Sequence, residues 1–321
     1  MTERLKKQMT GNTLIDSPPK LSQSDWQALA QSHYQTMSQW THRYRIRRRA
    51  RQSHPVQDFL FVYYRYSSKK LEGWHPGVGV SLENAASPEH RKRFSREAYR
   101  EAGQNDLVCD PTLMTPKLRN SLAWIADLLK RTQQQRPNFS CLGLHEWAMV
   151  YRGQEVRHEK TTKLRLSQAE VDAVVESRPL TCTHFDAFRF FAIDAKPYNR
   201  TQPTLENRAS QEQPACIHTN MDLYKWAFRS MPWIGSDLLS RCFKLAMLAR
   251  EIDMRASPYD LSYLDDGDQY PPIKIETAAG RAQYEIHQRE IAQQATSLRE
   301  ELISKITSVL RIANSVGSVN L

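Results

Sequence analysis

Apolar residues recur at intervals of three and four along much of the chain, which is the spacing of one face of an α-helix. The clearest example covers residues 116–133, where the apolar positions are Leu118, Leu122, Ile125 and Leu129. Two longer segments with this spacing, 21–53 and 278–312, predict a basic N-terminal helix and a C-terminal helix. The pattern therefore predicts a mainly α fold, a multi-helix globular domain with at most a few short strands.

Local signals mark several helix boundaries. The sequence Ser167-Gln-Ala-Glu170 has the spacing of a capping box and predicts a helix that starts there. A helical pattern runs from residue 218 to about 255, and Pro232 and Gly235 interrupt it, which predicts two successive helices. Residues 273–276 predict one short strand.

The same patterns predict how the chain is organised. Residues 1–20 are polar and predict a disordered tail. Residues 21–321 form the helical body, in which segment 54–260 carries the candidate site between the two terminal helices. The apolar positions of the C-terminal helix, 278–312, have heptad-like spacing. This helix is expected to dock along the body, and pairing with a second chain is the alternative.

Positive charge is concentrated near the N-terminus. Residues 1–70 contain thirteen Lys or Arg and four Asp or Glu, a net charge of +9 out of a total of +10. Most of this excess lies in one segment, whose cations are Arg43, Arg45, Arg47, Arg48, Arg49 and Arg51. Such a segment is typical of contacts with a phosphate backbone, and residues 90–93 are a second candidate. A solvated helix end explains the arginines equally well.

Composition narrows the class of protein further. No apolar run is as long as a membrane span, and the first residues lack the apolar centre of a secretory signal. The five cysteines are scattered and never form a Cys-x-x-Cys pair, which argues against a disulfide framework and a cysteine zinc site. These features predict a cytoplasmic protein that does not associate with a membrane.

Three segments, 142–152, 183–191 and 216–226, combine a histidine and a carboxylate with apolar and aromatic residues. Ionisable groups in apolar surroundings are costly unless they are paired, bound to a metal or shifted in pKa. A single such histidine is usually a buried side chain bonded to a backbone carbonyl, but three together predict one shared pocket. The candidate catalytic residues are His145, Glu146, His184, Asp186, His218, Asp222 and Lys225.

Several segments resemble a bacterial family whose members commonly carry the label 3-methyladenine DNA glycosylase. The segments that carry the resemblance are 54–64, 74–77, 143–151, 183–191, 216–226 and 253–260. The resemblance extends from about residue 50 to 295. The chain departs from two other classes of alkyl-base glycosylase: His75-Pro-Gly-Val-Gly79 imitates a helix-hairpin-helix turn without the catalytic Asp that should follow, and no cysteine–histidine zinc set is present.

The resemblance implies excision of an alkylated base from damaged duplex DNA, without a cofactor. A flipped base would stack between aromatic side chains, and Asp222, or else Asp186, would stabilise the positive sugar. Lys225 could instead attack the sugar carbon and form a Schiff base. The residues assigned to substrate binding are Trp147, Asn220, Tyr224, Trp226 and Arg255.

Two other functions remain open from the residues alone. A metal-dependent enzyme would use the imidazoles and carboxylates to bind iron, manganese or zinc, with His145, His184, His218 and Asp222 as ligands. His218 and Asp222 are four residues apart and share a helical face, although no familiar ligand spacing such as His-Glu-x-x-His occurs. A non-catalytic nucleic-acid-binding protein would need only the arginine segment and the C-terminal helix.

Overall fold

The computed structural model describes residues 18–153, 163–264 and 266–315 of the chain. The fold is mainly α, as predicted, and within these residues it contains eleven α-helices and a small sheet. Most of the predicted tail, residues 1–17, lies outside the described residues. The helices are α1 (Gln23–Arg49), α2 (Phe59–Tyr63), α3 (Ser68–Glu72), α4 (Pro116–Gln134), α5 (Leu144–Met149), α6 (Gln168–Glu176), α7 (Phe185–Phe188), α8 (Arg208–Gln211), α9 (Ile217–Arg229), α10 (Ser236–Ala256) and α11 (Ala278–Ser315).

The long helices begin and end close to where local signals place them. Helix α4 covers the predicted segment 116–133, and α6 starts with the predicted capping box, in which the Ser167 hydroxyl accepts from the backbone N–H of Glu170. The basic helix is shorter than the predicted 21–53. It ends at Arg49 because the chain turns at Arg51, whose φ is 55°.

The C-terminal helix α11 is longer than predicted and packs along the chain's own body. Its apolar stripe contacts α4, α9 and α10, and the buried positions include Tyr284, Ile291, Leu298, Leu302 and Ile306. The heptad-like spacing is therefore used for docking, since these positions are covered by helices of the same chain.

Four short strands form the sheet, β1 (Lys20–Leu21), β2 (Ser81–Leu82), β3 (Tyr99–Ala102) and β4 (Asp106–Cys109), in the order β1-β2-β4-β3. Only β1 and β2 are parallel. The predicted strand at 273–276 is wrong: the backbone turns there, because the Ile275 N–H donates to the Ile273 carbonyl at 2.8 Å.

The antiparallel pair α9 and α10 lies at the centre of the core. The two predicted helices are separated by residues 230–235, where Gly235 has a φ of 85° and approaches the carbonyl of Pro76 so closely that a Cβ would lie 2.8 Å from that oxygen. Most residues of both helices are buried. In the described parts of the chain, no helix combines the length and the apolar character needed to cross a membrane.

Candidate active site

The three histidine segments meet where α5, α7, α9 and α10 come together. The ring of His218, on α9, lies 4.4 Å from the ring of His145 on α5. On its other side it stacks at 5.6 Å on His184, the residue that precedes α7. His218 therefore joins two neighbouring groups of ionisable side chains.

The first group, here the Asp253 group, consists of His145, His218 and Asp253. Nε2 of His145 lies 2.5 Å from Oδ1 of Asp253, and Nε2 of His218 lies 3.8 Å from Oδ2. The three ligand atoms all lie within 4.8 Å of one another, which is close enough to hold a metal ion. Asp253 is fully buried, His145 almost so, and the side chain of His218 is 12% exposed.

A buried ion pair between Arg250 and Glu146 adjoins the Asp253 group. Arg250, one turn before Asp253 on α10, donates to Glu146 at 2.9 Å and to Asp253 at 3.3 Å. Its guanidinium also lies over the ring of Phe59, at 3.8 Å from the centroid. Because Glu146 and Arg250 neutralise each other, the charge of Asp253 remains for the two imidazoles.

The second group, here the Asp222 group, consists of His184, Asp186 and Asp222, whose ligand atoms also lie within 4.8 Å of one another. His184 Nε2 lies 3.4 Å from Asp222, and its Nδ1 is buried with no hydrogen-bond partner in the described residues. Lys225 donates to both carboxylates, at 3.1 Å to Asp222 and 3.3 Å to Asp186. The hydroxyl of Tyr64 donates to Asp222 at 2.7 Å.

A polar segment that precedes α9 supplies two further members of the site. Arg208, at the start of α8, donates to Asp222 at 2.8 Å and to Glu212. Glu212 in turn lies 3.5 Å from Nε2 of His184. Both side chains are buried, so this loop closes one side of the site.

Burial and close partners shift the pKa values of the Asp253 group in different directions. Burial lowers the pKa of His218 to about 3, and the neighbouring His145 contributes to the shift, so His218 is neutral. Burial also opposes charge on His145, but the adjacent Asp253 overcomes it and raises the pKa of His145 well above its usual value. The same contact keeps the pKa of Asp253 below its ordinary value despite burial.

At the Asp222 group, Asp222 is held ionised, whereas burial opposes the charge of the adjacent Glu212. Burial alone would raise the pKa of Asp222, but Lys225, His184 and Arg208 together hold it well below its usual range. For Glu212, burial prevails over the nearby cations and its pKa is raised. Two carboxylates with opposite shifts beside one histidine are typical of sites that transfer protons.

The site has a partly open side at the Asp222 group. The side chains of Asp186 and Lys225 are 18% and 17% exposed, and Arg189, which donates to Asp186 at 3.1 Å, is more open. Tyr63 is half-buried beside these charges, and the hydroxyl of Tyr66 bonds to the carbonyl of Lys225.

The side chains assigned to substrate binding are buried or bound to other protein groups. Trp226 lies beside the Asp222 group, with Nζ of Lys225 4.6 Å from its ring centroid. Trp147 and Tyr224 are fully buried in the core and Trp226 nearly so, and the Trp147 indole donates to the Ala256 carbonyl. Asn220 bonds to Arg299, and Arg255 donates to Glu251 and the Pro271 carbonyl. In this conformation none of these aromatic rings offers a free face to a ligand.

The arginine segment divides into paired and exposed cations. Arg45 is bound to Glu72 and Arg47 to Asp58, so these two hold the end of α1 against the body. The exposed arginines are Arg43, Arg48, Arg49 and Arg51. The loop that follows reaches the site, because the Pro55 carbonyl accepts from Arg250 at 3.3 Å.

Sequence reasoning missed Asp253, Arg250, Arg208, Glu212 and Tyr64 as site residues. Asp253 and Arg250 carried a usable signal, since they are charged residues on the apolar face of a central helix. Arg208 and Glu212 carried none, because they lie in a polar loop. His218 and Asp222, expected to bind one ion together, fall into separate groups.

Comparisons of the chain with protein families, with curated proteins and with solved structures found no match. The functional argument therefore rests on the geometry of the site.

Proposed function

We propose that the protein is a metal-dependent enzyme that binds iron, manganese or zinc at the Asp253 group and acts on a small molecule. The observation that carries this proposal is the convergence of two imidazole nitrogens, from His145 and His218, on the buried carboxylate of Asp253. Two histidines and one carboxylate form a common ligand set for non-haem iron, and the same donors suit zinc and manganese.

The surroundings of the Asp253 group fit a metal site. Metal-bound histidines are usually oriented by a second contact at the other ring nitrogen, and Nδ1 of His145 has one, at 3.4 Å from the sulfur of Cys141. Glu146 and Arg250 pair with each other, so the charge of Asp253 would balance a cation once His145 gives up its proton. Burial excludes water, which strengthens each of these electrostatic interactions.

The Asp222 group would then handle the substrate. Lys225 and Arg189 lie on the open side and favour a substrate that carries negative charge. The buried Glu212, whose pKa is raised, lies 3.5 Å from His184 and can exchange a proton with it. A bound metal would supply Lewis-acid activation of a substrate oxygen or of water. His184 lies between the two groups and is positioned to relay a proton, since its ring stacks on His218 and faces Asp222.

The proposal is tested by titrating iron(II), manganese(II) and zinc(II) into chelator-treated protein and measuring heat by calorimetry. We expect a saturable site for at least one metal in the wild type, and loss of that site in His218→Gln. The matched control is the exposed His42→Gln, which should bind like the wild type. Equal binding by His218→Gln, or no saturable binding by correctly folded wild type, would refute the metal site.

One observation favours a second candidate, excision of a damaged base from DNA. The exposed arginines at the end of α1 are joined to the site through Pro55, and Asp222 lies 3.1 Å from the amine of Lys225. These are the groups that base excision requires, an ionised carboxylate and an amine near a phosphate-binding surface. Because Trp147, Tyr224 and Trp226 are buried, a flipped base would have to stack on the half-buried rings of Tyr63 and Tyr66.

Base excision is tested with an alkylated DNA duplex in the presence of a chelator. This candidate predicts release of the free base, its loss in Asp222→Asn, and DNA binding that weakens with salt and with the double variant Arg48→Glu/Arg49→Glu. Salt-sensitive binding without release of a base would instead support the non-catalytic nucleic-acid-binding function. If the protein does not bind DNA at low salt, both base excision and the non-catalytic nucleic-acid-binding function are excluded.

A further inference from the structure

A cavity of about 370 Å³ lies away from the histidines, between the end of α4, the residues before α9 and the middle of α11. It adjoins a second cavity of about 740 Å³, and the two cavities share the lining residues Pro137, Phe139 and Arg289. The smaller cavity is lined by polar side chains of α4 and α11, including Gln133, Thr296 and Arg299.

Arg299 is the unusual member of this lining. It is fully buried, yet its guanidinium makes one described hydrogen bond, from Nη2 to the side-chain oxygen of Asn220 at 2.5 Å. Its Nε and Nη1 atoms are buried without a partner among the described residues, and no salt bridge to Arg299 occurs there. A buried cation without a counter-ion is costly, so folded proteins usually neutralise one.

The acidic residues nearest to Arg299 are engaged with other partners. Glu212 pairs with Arg208 and lies beside His184, and Glu300 accepts from Gln133 at 2.9 Å. Burial lowers the pKa of Arg299 to about 10, which still leaves the guanidinium charged at neutral pH. Among the described residues, none therefore forms an ion pair with Arg299.

The start of helix α9 adds positive potential near the cavity. Helix α9 begins at Ile217, directly after the lining residues Pro214 and Ala215, and no side chain caps its first turn. The N-terminus of a helix carries a partial positive charge and free N–H groups, which favour an anion. Arg289 also lines the cavity, but it pairs with Glu285 at 2.6 Å, so its charge is already balanced.

We propose that this cavity binds a small oxyanion, a phosphate or a carboxylate group, with Arg299 as its charge partner. The guanidinium keeps charged N–H donors on Nε and Nη1 that no described residue uses, and charge-assisted donors of this kind bind oxyanions well. The lining of the cavity includes no residue of the Asp253 group. Asn220 connects the two, because it lies on α9 between His218 and Asp222 and accepts the one hydrogen bond that Arg299 donates.

The test measures thermal unfolding and calorimetric binding with sodium phosphate and with sodium acetate, at constant ionic strength set by chloride and with a chelator present. We expect phosphate, acetate or both to raise the unfolding temperature of the wild type. In Arg299→Met the binding should weaken by about tenfold or more, because a charged hydrogen-bonding partner is lost. The control Arg311→Met removes an exposed arginine from the same helix and should respond like the wild type.

The stability of Arg299→Met without anion separates a ligand site from a structural role. An unsatisfied buried cation predicts that this variant is at least as stable as the wild type when no oxyanion is present. A clear fall in its unfolding temperature under that condition would overturn the proposal, as would an unfolding temperature of the wild type that neither anion changes. Because the chelator removes metals, failure of the metal proposal would not affect either result.

Discussion

At the scale of single residues, Asp253 is the carboxylate that contacts most of the charged groups around His145 and His218. It is fully buried and contacts both His145 and Arg250, while His218 lies 3.8 Å away. A buried carboxylate in such a position holds its neighbours in place even before a ligand binds, because His145 would otherwise be a buried group without a charge partner.

Replacing this carboxylate by an amide should therefore be costly. Asp253→Asn leaves a protonated His145 without its counter-ion and removes one of the two carboxylates that Arg250 contacts, and we expect a loss of about 3–5 kcal/mol in the free energy of unfolding. The control is Asp237→Asn on the same helix, whose exposed side chain pairs with Arg241, and here the loss should stay below about 1 kcal/mol. Urea denaturation with a chelator present measures both. Similar losses for the two variants would contradict the role given to Asp253.

A histidine outside the site makes stability depend on pH. Burial lowers the pKa of His75 to about 4, and its Nδ1 lies 2.9 Å from the hydroxyl of Tyr99. Between about pH 6.5 and pH 4 the unfolded chain binds a proton that the folded chain does not, so stability falls as the pH falls, by at most about 1.4 kcal/mol per pH unit. His75→Gln should flatten this slope in urea denaturation at several pH values. The exposed His42→Gln should leave it unchanged, and an equal slope in His75→Gln would refute the assignment.

At the scale of elements, the short helix α5 depends on the glycine that precedes it. Gly143 has a φ of 75°, and a Cβ there would lie 3.2 Å from both the Cβ of Ala256 and the ring of Tyr284. This close approach sets the position of His145 and Glu146 against α10. Gly143 thus contributes to the geometry of the site through its backbone conformation and its lack of a side chain.

Gly143→Ala tests that dependence, with Gly103→Ala as its control. Both positions have positive φ, which costs a residue with a Cβ about 1–2 kcal/mol, but only Gly143 is enclosed by neighbours. We expect Gly143→Ala to lose about 1–3 kcal/mol more than Gly103→Ala in the free energy of unfolding, because the packing must also adjust. Equal losses would show that the contacts around Gly143 can relax without cost.

The elements were predictable from the sequence where one helix face is continuous. The apolar spacing of α4 and the capping box of α6 are local signals, and both helices occur where the pattern places them. The segment 273–276 was misjudged, because strand formation depends on a partner that sequence patterning does not reveal. Local patterning therefore specifies long amphipathic helices better than short extended segments.

At the scale of the whole molecule, the site is assembled from residues that are distant in sequence. The histidines at 145, 184 and 218 were recognisable because they interrupt apolar segments, but the residue between them in space, Asp253, comes from a fourth segment. Arg208 and Glu212 reach the site only because a polar loop folds inward. Such contacts depend on the packing of α9 against α10 and α11, which no local pattern contains.

The central claim is that the Asp253 group holds a metal ion, and elemental analysis of freshly purified protein by plasma mass spectrometry tests it most directly. The account predicts about one iron, manganese or zinc ion per chain in the wild type and in His42→Gln, and loss of that ion in His218→Gln with the fold intact by circular dichroism. A wild type that contains far less than one ion per chain after growth in metal-supplemented medium, or equal metal in His218→Gln, would contradict it.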